Sequence, residues 1–184
     1  MTYSRRRARE SALQILYGLD WSSADVEFAI DDYWAKFAGE KPEGFAELRL
    51  HCAEIVRGVA REKDSLDQRI QAISQHWKLE RMSAVDRNIL RLAAFELLHL
   101  GQKVPRNVAI NEAVEIAKKF GNEDSSAFIN GVLDRLAHAR GTQPADEAAE
   151  RARILRAKQR PPKKDAKPPK PADANSTPAP GKPA

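Results

Sequence analysis

The sequence predicts an all-α fold, a bundle of seven helices over about 140 residues, followed by a tail of different character. Three observations carry this. Apolar residues recur at spacings of three and four along most of the first 140 positions, and the two-residue alternation of a half-buried strand is almost nowhere present. Breakers and capping residues fall between the periodic segments at intervals that suit helices. Nine of the eleven prolines lie beyond residue 141, mixed with Lys, Ala, Asp and Ser.

The first helix is marked by Ala8, Ala12, Leu16 and Leu19 on one face, with Ser4 as its expected cap. Val26, Ile30, Tyr33, Trp34 and Phe37 mark a second, opened by Ser22-Ser23 and closed before Gly39-Glu40-Lys41-Pro42. A third carries Phe45, Leu48, Cys52, Ile55, Val56 and Val59 on one face. Ser65 then reads as the cap of a short fourth helix that buries Leu66, Ile70, Ile73 and Trp77. Ser83-Ala84-Val85-Asp86 has the form of a capping box, with Asp86 in place of the usual Glu or Gln. The fifth helix it opens is apolar on most of its circumference, through Val85, Ile89, Leu90, Leu92, Ala93, Ala94, Phe95, Leu97 and Leu98, and is therefore expected at the centre of the bundle. Gly101 is its expected C′ residue. Asn107 is expected to cap a sixth helix carrying Ile110, Ala113, Val114 and Ala117 and ending at Phe120-Gly121. The seventh starts near Asp124-Ser125 and buries Phe128 or Ile129, then Val132, Leu133 and Leu136.

The formal net charge is +5, from 31 Lys and Arg against 26 Asp and Glu in 184 residues. Residues 1–140 hold 21 of each sign and residues 141–184 hold 10 basic and 5 acidic side chains, so the tail carries the whole excess. Its composition offers too little apolar surface to offset the entropy of ordering, so two regions are expected: a folded domain over 1–140 and a disordered basic tail over 141–184. Within the tail, residues 145–159 have helix-friendly density and are expected to be helical only transiently.

Several function classes drop out. A single cysteine, Cys52, makes no internal disulfide, which points to a reducing compartment. The N-terminal stretch is interrupted by Glu10, Gln14 and Asp20 and has no apolar run of signal-peptide length. The most apolar segment, residues 89–100, is about three turns long and contains Arg91, Glu96 and His99, where a membrane span needs about 20 largely uncharged residues. A cytoplasmic protein is expected. His51, His76, His99 and His138 fall in different helices or helix ends, none at metal-ligand spacing with another or with Cys52. There is no phosphate-binding G-x-x-x-x-G-K-[ST] loop and no G-x-S-x-G elbow. Neither catalysis, nor a metal, nor a cofactor is expected.

The N-terminus is where binding chemistry concentrates. Arg5, Arg6, Arg7 and Arg9 fall within five consecutive positions at the start of a helix, the end where the macrodipole favours negative charge. Such a cluster opposes the dipole and repels itself unless an anion is close, and phosphate fits the guanidinium fork. A solvated helix end is the alternative reading. Gln14 and Tyr17 on the same helix supply an edge for a base hydrogen bond and a face for stacking, as recognition of single-stranded RNA requires; Tyr17 also reads as a core residue.

Three segments resemble the NusB family of transcription antitermination proteins: residues 5–17, RRRARESALQILY; residues 85–97, VDRNILRLAAFEL; and residues 104–136, VPRNVAINEAVEIAKKFGNEDSSAFINGVLDRL. Together they span residues 5 to about 138, with the stretch 21–77 similar mainly in helix pattern. The resemblance implies two packed helical subdomains, of three helices and then four. It implies a partner, the small ribosomal-subunit protein NusE, and a target, the boxA element of nascent ribosomal-RNA leader transcripts, in a complex with RNA polymerase that resists premature termination. Carried over by position, the implied RNA-facing residues are Arg5, Arg6, Arg7, Arg9, Gln14, Tyr17, Lys118, Lys119, Asp124, Ser125, Phe128 and Asn130. The implied NusE contacts are Glu80, Asp86 and Arg91, acidic anchors suiting a basic ribosomal protein. Asp86 also reads as the capping-box acid, Asp124 and Ser125 as helix caps, and Phe128 as core. Two positions depart from the family pattern: Ala127 stands where a basic residue is common, and Ile73 aligns near an aromatic that contacts RNA in some members. The residues leave monomer and homodimer both open. The rival readings are a helical DNA-binding regulator and an RNA-binding accessory module without antitermination activity.

Overall fold

The computed structural model describes residues 5–36, 43–74 and 77–139. Ser4, Phe37, the breaker cluster 39–42, His76 and the tail 141–184 lie outside these residues. Six α-helices and one short 3₁₀ turn account for nearly all of the described chain, and no strand is present among the described residues.

Helix α1, Arg5–Leu19, buries Ala8, Ala12, Leu13, Ile15 and Leu16. Helix α2, Val26–Ala35, is capped by Asp25, whose carboxylate accepts from the backbone N–H of Glu27 (2.9 Å) and Phe28 (3.1 Å). The expected Ser22-Ser23 opening thus lies short of the true cap, because a carboxylate at Asp25 takes both orphan donors. Helix α3, Phe45–Ile73, opens at Gly44, whose φ of 76° is a left-handed conformation that favours glycine. A 3₁₀ turn, Leu79–Arg81, leads to α4, Ala84–His99; α5, Arg106–Phe120, and α6, Ser125–Ala139, follow.

The helix count differs from the expected seven because the third and fourth predicted helices are one. Ser65 is an exposed residue inside α3 and caps nothing. Residues 60–69 contain neither Gly nor Pro, and Leu66 and Ile70 stay on the stripe begun by Ile55 and Val59, so nothing local ends the helix. It stops at Ser74, whose Oγ donates to the Ile70 carbonyl at 2.7 Å. Trp77, expected inside, is 59% exposed. At α5, Pro105 takes the cap position and Asn107 lies within the helix, consistent with the fixed φ of proline at a helix start.

Helix α4 is central, packing against α1, α3, α5 and α6, and its buried residues run round most of its circumference. Ser83 caps it by accepting from the Asp86 N–H at 3.0 Å. Helix α2 packs on α1 and α3, and α5 pairs with α6. Phe95 of α4 leaves no room opposite: a Cβ on Gly58 of α3 would stand 2.0 Å from its ring.

Candidate nucleic-acid interface

The four N-terminal arginines have different fates, decided by helical position. Arg9 lies three residues before Ala12 and four before Leu13, on the buried side of α1, and is 1% exposed. Its Nε donates to both oxygens of Glu96 on α4 (3.0 and 2.9 Å), a residue with no exposure. Burial pushes the Glu96 carboxyl up, and the guanidinium of Arg9 opposes it. Arg9 therefore belongs to the interior, which corrects its expected role as a phosphate contact. Arg6 is exposed and donates from two nitrogens to Glu112 of α5, both at 2.8 Å, and these bonds hold the Glu112 carboxyl below its ordinary range. Arg5 donates to the Lys103 carbonyl at 3.3 Å. Arg7 is exposed and, among the described residues, has no ion-pair partner. The anions that the helix end demands are thus largely the protein's own.

Along the exposed side of α1, Arg7, Glu10, Gln14, Tyr17 and, just past its end, Trp21 recur at spacings of three and four, forming one stripe. Gln14 accepts from the Tyr33 hydroxyl at 3.2 Å. Tyr17 is 43% exposed and lies against the still more exposed Trp21, ring centroids 6.3 Å apart. Lys119, at the end of α5, joins the stripe by its 2.7 Å pair with Glu10, and its ammonium also sits 4.9 Å from the Phe120 ring centroid. Lys118 pairs with Glu115 at 2.7 Å. Both lysines remain more than half exposed, and surface pairs of this kind contribute only about 0–1 kcal/mol, so an incoming phosphate displaces them at little cost.

The loop between α5 and α6 is tightly tied. Ser125 is buried; its N–H and Oγ both donate to Asn122 Oδ1 (3.0 and 2.8 Å), and its Oγ accepts from the Asn122 N–H at 2.9 Å. A Cβ on Gly121 would meet Ser125 at 2.5 Å and the Ala117 carbonyl at 2.7 Å, so only glycine permits this closure. With both polar atoms of Ser125 engaged, it shapes the loop and is not an exposed RNA contact, a second correction. Asp124 is exposed, and its carbonyl accepts the Phe128 N–H. Phe128 is half-buried beneath Trp77, centroids 5.8 Å apart. Asn130 is exposed, but two residues along a helix turn it about 200° from Phe128, so the structure does not join these two on one face.

The expected partner-facing residues also separate. Glu80 stands exposed on the 3₁₀ turn at the rim of a cleft of about 760 Å³ between α3 and α4. Arg91, on its floor, is 4% exposed and is held internally, to Asp67 by two 2.7 Å bonds and to Asp20 at 3.1 Å. Asp20 also accepts from Asn88 (2.8 Å) and Arg87 (3.2 Å); although burial works against it, these bonds and the Arg91 charge keep its carboxyl below the usual range. Arg91 thus locks the end of α1 to α3 and α4, which corrects its reading as an exposed partner contact. Asp86 is 7% exposed, with Oδ1 buried and unpartnered and only its backbone N–H engaged with Ser83, so of the three residues Glu80 is the one openly presented.

Sequence reasoning did not single out Trp21, Trp77, Glu10, or the acids that neutralise α1. The signal for Trp21 was its position four residues after Tyr17; for Trp77 no sequence signal distinguished an exposed ring from a buried one. Cys52 is buried, which pushes its thiol up to about 12, and no cluster of three or more His, Cys, Asp or Glu fit for a metal occurs among the described residues. No described helix is long and apolar enough to cross a membrane.

The described residues form a six-helix bundle that carries Arg7, Gln14, Tyr17 and Trp21 along the exposed side of its first helix, the architecture of an all-helical binding protein. The chain belongs to the NusB family, whose model matches residues 6–138. It is 47% identical over 146 residues to the transcription antitermination protein NusB of Anaeromyxobacter dehalogenans, covering 79% of this chain and 96% of that protein. It is 46% identical over 136 residues to the protein of the same name from Myxococcus xanthus, covering 74% and 96%. Among solved structures, T. maritima NusB superposes with a TM-score of 0.67 at 32% identity, covering 81% of this chain and 99% of that one. A structure of the antitermination factors NusB and NusE in complex with double-stranded RNA superposes with a TM-score of 0.63 at 25% identity, covering 73% and 96%.

Proposed function

We propose that this protein is a transcription antitermination factor that, with the ribosomal small-subunit protein NusE, binds the boxA element of nascent ribosomal-RNA leader transcripts and joins RNA polymerase to resist premature termination. The observation that carries the reading is the α1 stripe of Arg7, Gln14 and Tyr17, with Lys119 bridged into it, on a chain of the NusB family. In this reading Arg5, Arg6, Arg7, Lys118 and Lys119 hold phosphates, which positions the strand, while Gln14, Tyr17 and Phe128 meet bases and supply selectivity. Asp124 and Asn130 accept from or donate to base edges at the margin, and Glu80 meets the basic NusE. The protein works by binding in the cytoplasm and catalyses no reaction. The basic tail, residues 141–184, adds non-specific phosphate attraction that compensates for Ala127.

The test is fluorescence anisotropy of a short boxA RNA and a scrambled RNA of equal length, with and without NusE. Tighter binding of boxA, enhanced by NusE, is expected. Equal, salt-labile binding of both RNAs without any NusE effect overturns the reading.

A further inference from the structure

Each of the two aromatic residues assigned to base contact carries a second, more exposed ring on its outer side. Trp21, 73% exposed, lies against Tyr17, and Trp77, 59% exposed, lies across Phe128. The third tryptophan, Trp34, is only 8% exposed and packs edge-on against Tyr33 and Phe45 at 5.0 and 5.3 Å.

The backbone that carries each outer ring is held in place. The backbone at Trp77 is pinned on both sides: its N–H donates to the Ser74 carbonyl at 2.8 Å, and the Gln71 side chain accepts from Leu79 N–H at 2.8 Å while donating to the Trp77 carbonyl at 3.4 Å. The Trp21 N–H donates to the Gly18 carbonyl at 3.2 Å, and the adjacent Asp20 is fixed to Arg87, Asn88 and Arg91. A residue whose backbone is already held loses less entropy when a ligand covers its side chain.

The ring faces are also open. Trp21 is 73% and Trp77 59% exposed, each leaving most of its indole in contact with solvent. The neighbours on the exposed side of α1 are Arg7, Gln14 and the Glu10–Lys119 pair, so the Tyr17–Trp21 rings stand among polar and charged groups and do not continue into an apolar stripe along that helix. A flat, anionic ligand with separate aromatic units fits this, and a protein helix, which needs a contiguous apolar stripe, does not.

We infer that Trp21 and Trp77 are base-stacking residues, each giving an indole face to an unpaired base of single-stranded RNA and so extending the platforms begun by Tyr17 and Phe128. The inference rests on the RNA-binding reading above. It places the platforms at one end of the bundle, since Asp20 beside Trp21 bonds to the start of α4 and Trp77 lies in the linker leading into α4.

The experiment uses the full chain with boxA RNA as a single strand and as a duplex, and the variants Trp21→Leu, Trp77→Leu, Trp21→Phe and Trp77→Phe. Stacking on an aromatic side chain is worth about 1–3 kcal/mol per base by truncation, so each leucine variant should lose about five- to 150-fold in single-strand affinity. The phenylalanine variants should recover most of it, and the slope of log affinity against log salt should stay unchanged, because no phosphate contact is removed. Single-strand binding should quench tryptophan emission in the wild type, and the quench should shrink in each leucine variant while buried Trp34 continues to emit. Wild-type affinity for boxA within twofold of each leucine variant overturns the inference, as does a leucine variant that weakens NusE capture while leaving RNA affinity intact. Failure of the function reading looks different: the wild type then binds boxA and scrambled RNA equally, with the tryptophan effects present on both.

Discussion

Replacing Arg9 by methionine separates an interior role from an RNA-contacting one. The guanidinium is 1% exposed, and its nearest charged partner among the described residues is Glu96, whose exposure is zero, with Glu112 3.9 Å away. Removing it leaves a carboxylate sealed among α1, α3 and α4, with His51 Nε2 3.7 Å away as the nearest substitute. Breaking a buried pair from one side costs about 3–5 kcal/mol, whereas replacing both partners by apolar groups of similar volume is often neutral or stabilising. For a folded body of this size each kcal/mol moves the melting point by about 3–5 °C, so Arg9→Met should lower Tm by roughly 10–20 °C. The double variant Arg9→Met/Glu96→Leu should recover most of that loss. Thermal melts by circular dichroism, run on both variants and on Glu96→Leu alone, give the coupling directly. RNA affinity, measured well below the melting point of each, should be unchanged in the double variant. A double variant that melts normally but has lost RNA binding would refute the argument, since it would make Arg9 a phosphate ligand after all. So would additive losses in the two single variants.

Three other outcomes are expected. Arg7→Ala and Lys119→Ala should each reduce the salt slope of single-strand binding by about 0.7 with no change in Tm, which anisotropy across a salt series reports. His51 is pushed down from 6.5 to about 4, first by burial and then by the charges of Arg9 and Arg5, so the unfolded chain binds its proton at a higher pH than the folded one. The wild type is therefore unaffected by this group above pH 6.5 and loses stability as pH drops towards 4, by about 3 kcal/mol at most; urea midpoints of the wild type should fall over that window relative to those of His51→Gln, which does not titrate. Gly58→Ala drives a methyl to 2.0 Å from the Phe95 ring and should destabilise by about 1–3 kcal/mol or more, read as a lower urea midpoint with unchanged slope.

Much of the bundle could be read from helical periodicity alone, because each helix buries one stripe and the central one nearly all of its surface. The fusion of two predicted helices into α3 shows where that reading stops: Ser65 has the chemistry of a cap, but a cap acts only where the chain leaves the helix, and that depends on what packs beyond. The arginine cluster shows the same limit. Arg9 shares the apolar sector of α1 with Ala12 and Leu13, just as Glu96 sits in the apolar sector of α4, and two opposite charges on facing buried stripes are each other's natural partners. The periodicity held that information, but pairing them needed knowledge that α1 lies antiparallel against α4. Exposure of Trp77 was illegible for a related reason, since a linker has no period from which to infer a face.

The partners of α1 are remote in the chain: Arg9 waits for Glu96, Arg6 for Glu112 and Glu10 for Lys119, at separations of 87, 106 and 109 residues. During synthesis at about 5–20 residues per second the arginine-rich segment therefore leaves the ribosome some 5–20 seconds before the acids that restrain it. For that interval it is an uncompensated polycation beside ribosomal RNA. The side-chain bridges that join α1 to α5 can form only once α5 has been made, so the charge pattern along α1 is completed late in synthesis.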